Sequence, residues 1–137
     1  MRADSVFTVK SFTPTDVTPD PEITTGTPVG VWRMEKSFEG DVVGRAATLF
    51  TAAFDQAAGI GTYLALESFE GTVNGRSGTF SFVHSATTTG SDRTAELFTL
   101  VPSSGTGELA GITGAGGLVI DHDGTHRMWF DYELPEA

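Results

Sequence analysis

The chain has no cysteine, which excludes a disulfide framework, thiolate metal ligands and a thiol nucleophile. Basic residues are scarce. Eight Lys and Arg stand against eighteen Asp and Glu, a formal net charge of −10. Binding to nucleic acid or to an anionic membrane surface needs a basic patch, so neither partner is expected. Long apolar runs are missing as well, and no segment approaches the ~20 residues of a membrane-spanning helix. The start, Met1-Arg2-Ala3-Asp4-Ser5, has no apolar stretch behind its one positive charge. No secretory signal is expected there, and the expected location is the cytoplasm. No window carries a convincing helical period.

What is present speaks for strands and turns. Seventeen glycines and many threonines accompany short β-branched and aromatic runs. Strands are expected over 5–12, 29–38 and 42–54. The alanines of the third would also allow a short helix, but Thr48, Phe50, Thr51 and Phe54 favour β structure. A proline-rich loop is expected over 13–28, placed to fold over one mouth of a barrel. Further strands are expected over 62–85 as a hairpin, over 94–101, and over 117–122 and 125–134 as a last hairpin about Asp123-Gly124. The glycine-rich segment 103–117 reads as tight turns rather than a regular element. Seven or eight short strands at close spacing imply one all-β domain over 1–137, a sandwich or a closed barrel.

The hairpin carries the candidate site. Asn74-Gly75 suits a type I′ turn, in which both central residues take positive φ. With that pair at the tip, Phe69 faces Phe80, Glu67 faces Phe82 and Ala65 faces His84, and Tyr63 shares their face. The opposite face holds Leu64, Leu66, Ser68, Glu70, Thr79, Ser81, Val83 and Ser85. Burying the larger rings gains most, so the aromatic face should point inward. Glu67 and His84 then lie diagonally, about 7–8 Å apart at the backbone and within side-chain reach. They are the candidate acid–base pair, or else a polar pair that only fixes register. Lys36 shares a face with Trp32, Met34 and Phe38. It either neutralises Glu67 inside or extends to a barrel mouth. Tyr63 and Tyr132 could donate to a ligand carbonyl, and Trp32, Phe69, Phe80, Phe82 and Phe98 could line a pocket. Asp121, His122, Asp123 and His126 cluster at the last turn, but an exposed tip is a poor metal site, so no metal is expected.

The run Gly105-Thr106-Gly107-Glu108-Leu109-Ala110-Gly111-Ile112-Thr113-Gly114 resembles the glycine–threonine–glycine signature of allene oxide cyclases and plant dirigent proteins. Other spaced pieces resemble the bacterial domain of unknown function family 3224 more closely. They are Lys36-Ser37-Phe38-Glu39-Gly40-Asp41, Leu66-Glu67, Gly75-Arg76-Ser77-Gly78-Thr79-Phe80, His84, the stretch from Val101-Pro102 to Gly114, and Asp131-Tyr132. That family usually has glutamine before the histidine, where this chain has Val83. The resemblance implies a closed antiparallel barrel of about eight strands, calycin-like and allene-oxide-cyclase-like. It also implies chemistry without a metal or cofactor, and a homo-oligomer.

Three functions follow as expectations. The first is a cofactor-independent cyclase or isomerase acting on a small apolar, polyketide-type metabolite through Glu67 and His84. The second is a carrier or binding protein for a hydrophobic ligand, which needs only a dry cavity. The third is an oligomerising module with a filled barrel, packed through the outer face that carries Leu64, Leu66 and Val83.

Overall fold

The structure is a computed structural model and describes residues 1–135. Eight strands account for most of them. These are β1 (Arg2–Pro14), β2 (Val29–Gly40), β3 (Val42–Asp55), β4 (Ile60–Val73), β5 (Arg76–Thr89), β6 (Arg93–Leu100), β7 (Thr113–Ile120) and β8 (His126–Glu133). Every neighbouring pair is antiparallel, and β1 pairs with both β2 and β8, so the sheet closes into a ring. One 3₁₀ turn, Gly107–Leu109, interrupts the β structure. No helix among the described residues is long and apolar enough to cross a membrane.

Period-two alternation sets which side chains enter the ring. Along β4, Ala65, Glu67 and Phe69 are buried while Leu64, Leu66, Ser68 and Glu70 are exposed. The β4–β5 register is the one the Asn74-Gly75 tip predicts: Ala65 opposes His84, Glu67 opposes Phe82 and Phe69 opposes Phe80. Asn74 and Gly75 have φ of 47° and 82°. The outer face carries neighbouring apolar rows, with Leu49 beside Leu66 and Leu66 beside Val83.

The interior has two unlike halves. In one, Phe38, Phe69, Phe80, Phe82, Phe130 and Met128 fill the ring with almost no exposed surface, and each such side chain contributes roughly 1.5–3 kcal/mol of burial. That end is closed by Leu109 and Ile112, both fully buried, and by Asn74, whose Nδ2 donates to the Tyr132 hydroxyl at 2.8 Å. The glycine–threonine run forms this plug. A Cβ on Gly78 would lie 2.1 Å from the Thr106 carbonyl oxygen, and one on Gly105 would lie 2.0 Å from that of Leu109. The other half is open, at the end where β1 stops, β2 begins and the 15–28 segment passes.

Several strands run longer than expected, β1 from Arg2 and the β4–β5 hairpin from Ile60 to Thr89 among them, and two of the differences change the loops. The first loop begins after Pro14, because β1 continues along β2 past a bulge between Val9 and Ser11. The glycine-rich segment is irregular only as far as Ile112. Thr113 to Gly117 belong to β7, hydrogen-bonded along β8. Glycine is needed there for room: a Cβ on Gly117 would sit 2.1 Å from the Trp129 ring, and one on Gly116 would sit 2.8 Å from Phe98.

Candidate functional site

A belt of polar side chains crosses the ring where the filled half meets the open half. Lys36 comes from β2, Thr48 from β3, Glu67 from β4 and His84 from β5. All four are inward positions of adjacent strands, and all are buried. Lys36 Nζ donates to Glu67 Oε2 at 2.7 Å, and Thr48 Oγ1 donates to Oε1 at 3.1 Å. His84 Nε2 lies 2.5 Å from Oε2. The other ring nitrogen, Nδ1, lies 2.9 Å from the Tyr63 hydroxyl, and Arg93 Nη2 donates to that hydroxyl at 2.9 Å. Among the described residues, no buried side-chain nitrogen or oxygen lacks a partner.

Charge decides how the protons are arranged. Burial alone would push the Glu67 carboxyl up, but the His84 hydrogen bond and the Lys36 charge outweigh it and hold it below its ordinary value. An ionised carboxylate only accepts, so Nε2 of His84 must carry the hydrogen. Nδ1 is then free to accept the Tyr63 O–H, and the Tyr63 oxygen accepts from Arg93. Burial also lowers the His84 pKa, against the pull of Glu67 and with the help of Lys36, which keeps the ring neutral. Lys36 Nζ and His84 Nε2 are 3.5 Å apart, two donors sharing one acceptor. Tyr63 is raised by burial despite Arg93, so it keeps its proton.

Above this belt lies a cavity of about 900 Å³. Small inward residues make part of the room, with Ala52 on its wall. Lys36, Tyr63, His84, Arg93 and His126 supply polar lining, together with Gln56, Thr62 and Thr88. The rest is mostly apolar: Phe7, Phe12, Trp32, Met34, Phe50, Leu118 and Ile120 among others, with Gly26, Pro28 and Asp55 at the rim. The interior is therefore filled in one half only.

Trp32, Lys36, Tyr63 and His84 thus share one cavity, and Lys36, Glu67 and His84 form one network. Glu67 has no exposed surface and stands behind Lys36 and His84 rather than on the wall. Both of its oxygens are engaged, which leaves it unsuited to ligate a metal from the cavity side. Phe69, Phe80 and Phe82 pack in the filled half. Phe98 stacks on His84 (5.5 Å, 15°) and on Phe82 (5.4 Å, 6°), supporting the imidazole from the far side. Tyr132 lies at the closed end, remote from the cavity. At the last turn, Asp121 pairs with Arg127, Asp123 accepts from the Thr125 backbone, and His126 turns inward against Phe7.

Sequence reasoning did not single out Arg93, Thr48 or Phe12. Thr48 was accessible in principle, since it faces Glu67 across β3 and β4. Arg93 was not. It begins β6, whose pairing slips by a bulge between Ser85 and Thr87, and Ala95 takes a positive φ of 51°.

The model of the family described as "Protein of unknown function (DUF3224)" matches residues 3–132. A crystal structure of a protein with unknown function from that family, from Shewanella oneidensis MR-1, is similar to this chain with a TM-score of 0.86. The two share 28% sequence identity over 100% of this chain and 98% of the other. No curated protein matches.

Proposed function

This chain belongs to the DUF3224 family of proteins of unknown function, and from its own site we propose a cofactor-independent isomerase or cyclase for a small, mainly apolar molecule. We read the ring as a closed, calycin-like barrel, and an eight-stranded barrel leaves room for one small ligand. The observation that carries the reading is the Tyr63–His84–Glu67 chain of hydrogen bonds, which ends on the wall of an apolar cavity.

The arrangement follows the logic of a nucleophile–histidine–carboxylate triad, with a phenol in first place. A carbon acid beside a carbonyl gives its proton to Tyr63 Oη while the Tyr63 proton passes to His84 Nδ1. The imidazolium so formed is held by the Glu67 carboxylate at Nε2. Arg93 and Lys36 favour negative charge on the substrate oxygen. Return of the proton from His84 through Tyr63 to a different carbon completes an isomerisation. Alternatively, the enolate carbon attacks a second carbonyl of the same molecule and the alkoxide formed takes that proton back, with no co-reactant. Tyr63 and His84 are the catalytic residues in this scheme. Glu67 is a positioning residue that fixes the imidazole tautomer.

The test uses 2-tetralone in heavy water, with exchange of its α-hydrogens followed by proton NMR. The protein is expected to accelerate exchange by at least about tenfold over buffer, roughly 1.4 kcal/mol of barrier. Tyr63→Phe and His84→Asn are expected to lose the acceleration while still binding the ketone. Binding without any acceleration by the unaltered protein would leave the cavity as a passive carrier site and end the catalytic assignment.

A further inference from the structure

Four aromatic rings line one side of the cavity as a continuous wall across β1 to β4. Phe12 stacks on Trp32 (5.6 Å, 7°) and Trp32 meets Phe50 edge-on (6.1 Å, 73°). Phe50 stacks on Tyr63 (5.1 Å, 11°). These rings are not core. Phe12 is 48% exposed, and the other three are half-buried where the ring of strands opens. Large rings left facing water at an open mouth retain apolar area that a bound molecule can cover. A flat, polarisable molecule covers ring faces best, since offset stacking and edge contacts add to area burial.

The charged groups deep in the same space are of one sign. Lys36 and Arg93 are cations, the lining carboxylate, Asp55, stands out at the rim, and Gln56, Thr62 and Thr88 are neutral. The one deeply buried acid of the belt, Glu67, is kept off the wall. Arg93 divides its guanidinium: Nε faces Glu96 at 3.1 Å outside, and Nη2 faces inward to Tyr63. A cationic ligand would approach Lys36 and Arg93 directly. An oxyanion would meet donors.

We propose that the ligand of this cavity is a planar, conjugated anion, an aromatic or polyenoic carboxylate or acidic enol whose ring system lies on the Phe12–Trp32–Phe50–Tyr63 wall and whose oxygen faces Arg93 and Lys36. The proposal rests on the cavity being a ligand site, and narrows that reading to a chemical class. It does not depend on whether a proton is moved.

The experiment is calorimetric titration of the full chain with four probes: 2-naphthoate, 2-naphthylmethanol, 2-naphthylmethylamine and decanoate. 2-Naphthoate is expected to bind at least about tenfold more tightly than each of the others, a difference of roughly 1.4 kcal/mol. Arg93→Met is expected to weaken 2-naphthoate and leave 2-naphthylmethanol unchanged. Phe50→Leu is expected to weaken both naphthyl oxygen compounds and not decanoate. Decanoate binding as tightly as 2-naphthoate overturns the planar requirement. The alcohol or the amine binding as tightly overturns the anionic one. In each of those cases the cavity survives as a ligand site. Failure of all four probes to bind removes the ligand site itself and the proposal with it.

Discussion

Glu67 keeps its charge without exposed surface because three side chains of adjacent strands donate to it. Removing that charge strands the Lys36 ammonium, 3% exposed, between His84 and the Phe7 ring 4.6 Å away. Breaking a buried pair by deleting one partner costs about 3–5 kcal/mol. Glu67→Gln is expected to lower the unfolding free energy in urea by that order. The double change Lys36→Met with Glu67→Gln is expected to recover part of it, because no unpaired charge then remains. His84 adds a pH dependence. Its pKa is depressed in the folded protein below the ordinary value of 6.5, so the unfolded chain takes up the proton first. Its contribution is whole above pH 6.5 and is lost as pH falls towards the folded value. Glu67 acts in the same direction at lower pH, since its carboxyl is also depressed, from an ordinary 4.5. His126 shares the His84 behaviour on a smaller buried fraction. Stability measured by urea titration is therefore expected to fall from pH 7 to pH 4. His84→Asn should flatten the upper part of that decline, and an unchanged upper part would place the titration elsewhere.

The strands show where local chemistry governs and where it does not. Gly44 and Gly71 pair across β3 and β4 at φ of 150° and 151°. A Cβ on Gly71 would lie 2.1 Å from the Val43 carbonyl oxygen and 2.8 Å from Gly44 Cα. Gly75, at φ of 82°, has nothing within 4 Å. Gly71→Asn is thus expected to destabilise by well over about 1 kcal/mol, by thermal or urea unfolding. Gly75→Asn should stay within about 0.5 kcal/mol, since asparagine tolerates positive φ in a turn. The same contrast separates what was legible in the sequence from what was not. The Asn74-Gly75 tip fixes register locally, and with the period of two it brings Glu67 and His84 to one inward face. Lys36 follows from the alternation of β2. The strand character of Gly114 to Gly117 is not local, because it answers to Trp129 and Phe98 on other strands. Nor does alternation distinguish wall from core. Phe50 and Phe69 are both inward, but only Phe50 lies beyond the polar belt. Arg93 reaches Tyr63 through a bulge that no pattern in its own strand announces.

At the scale of the molecule, the charge of −10 and the cationic floor of the cavity oppose each other. Asp16, Asp20 and Glu22 stand in or beside the exposed 15–28 segment, Asp55 is at the rim, and Glu96 is exposed beside Arg93. The anion proposed as ligand therefore crosses a repulsive field before it meets Lys36 and Arg93. The outer field spreads through solvent, where added salt shortens its reach to about 10 Å at 0.1 M. Lys36 acts at the buried floor and is screened far less. Salt should then speed entry without matching loss of affinity at the floor, the reverse of the usual result for an anion bound by cations. Stopped-flow binding of 2-naphthoate, followed by tryptophan fluorescence, is expected to show an association rate that rises severalfold between about 20 mM and 300 mM salt. The dissociation rate should change less, and 2-naphthylmethanol should enter at one rate throughout. An association rate that falls with salt would mean that Arg93, not the net charge, governs the field at the mouth. Entry would then be steered by the same guanidinium that holds Tyr63.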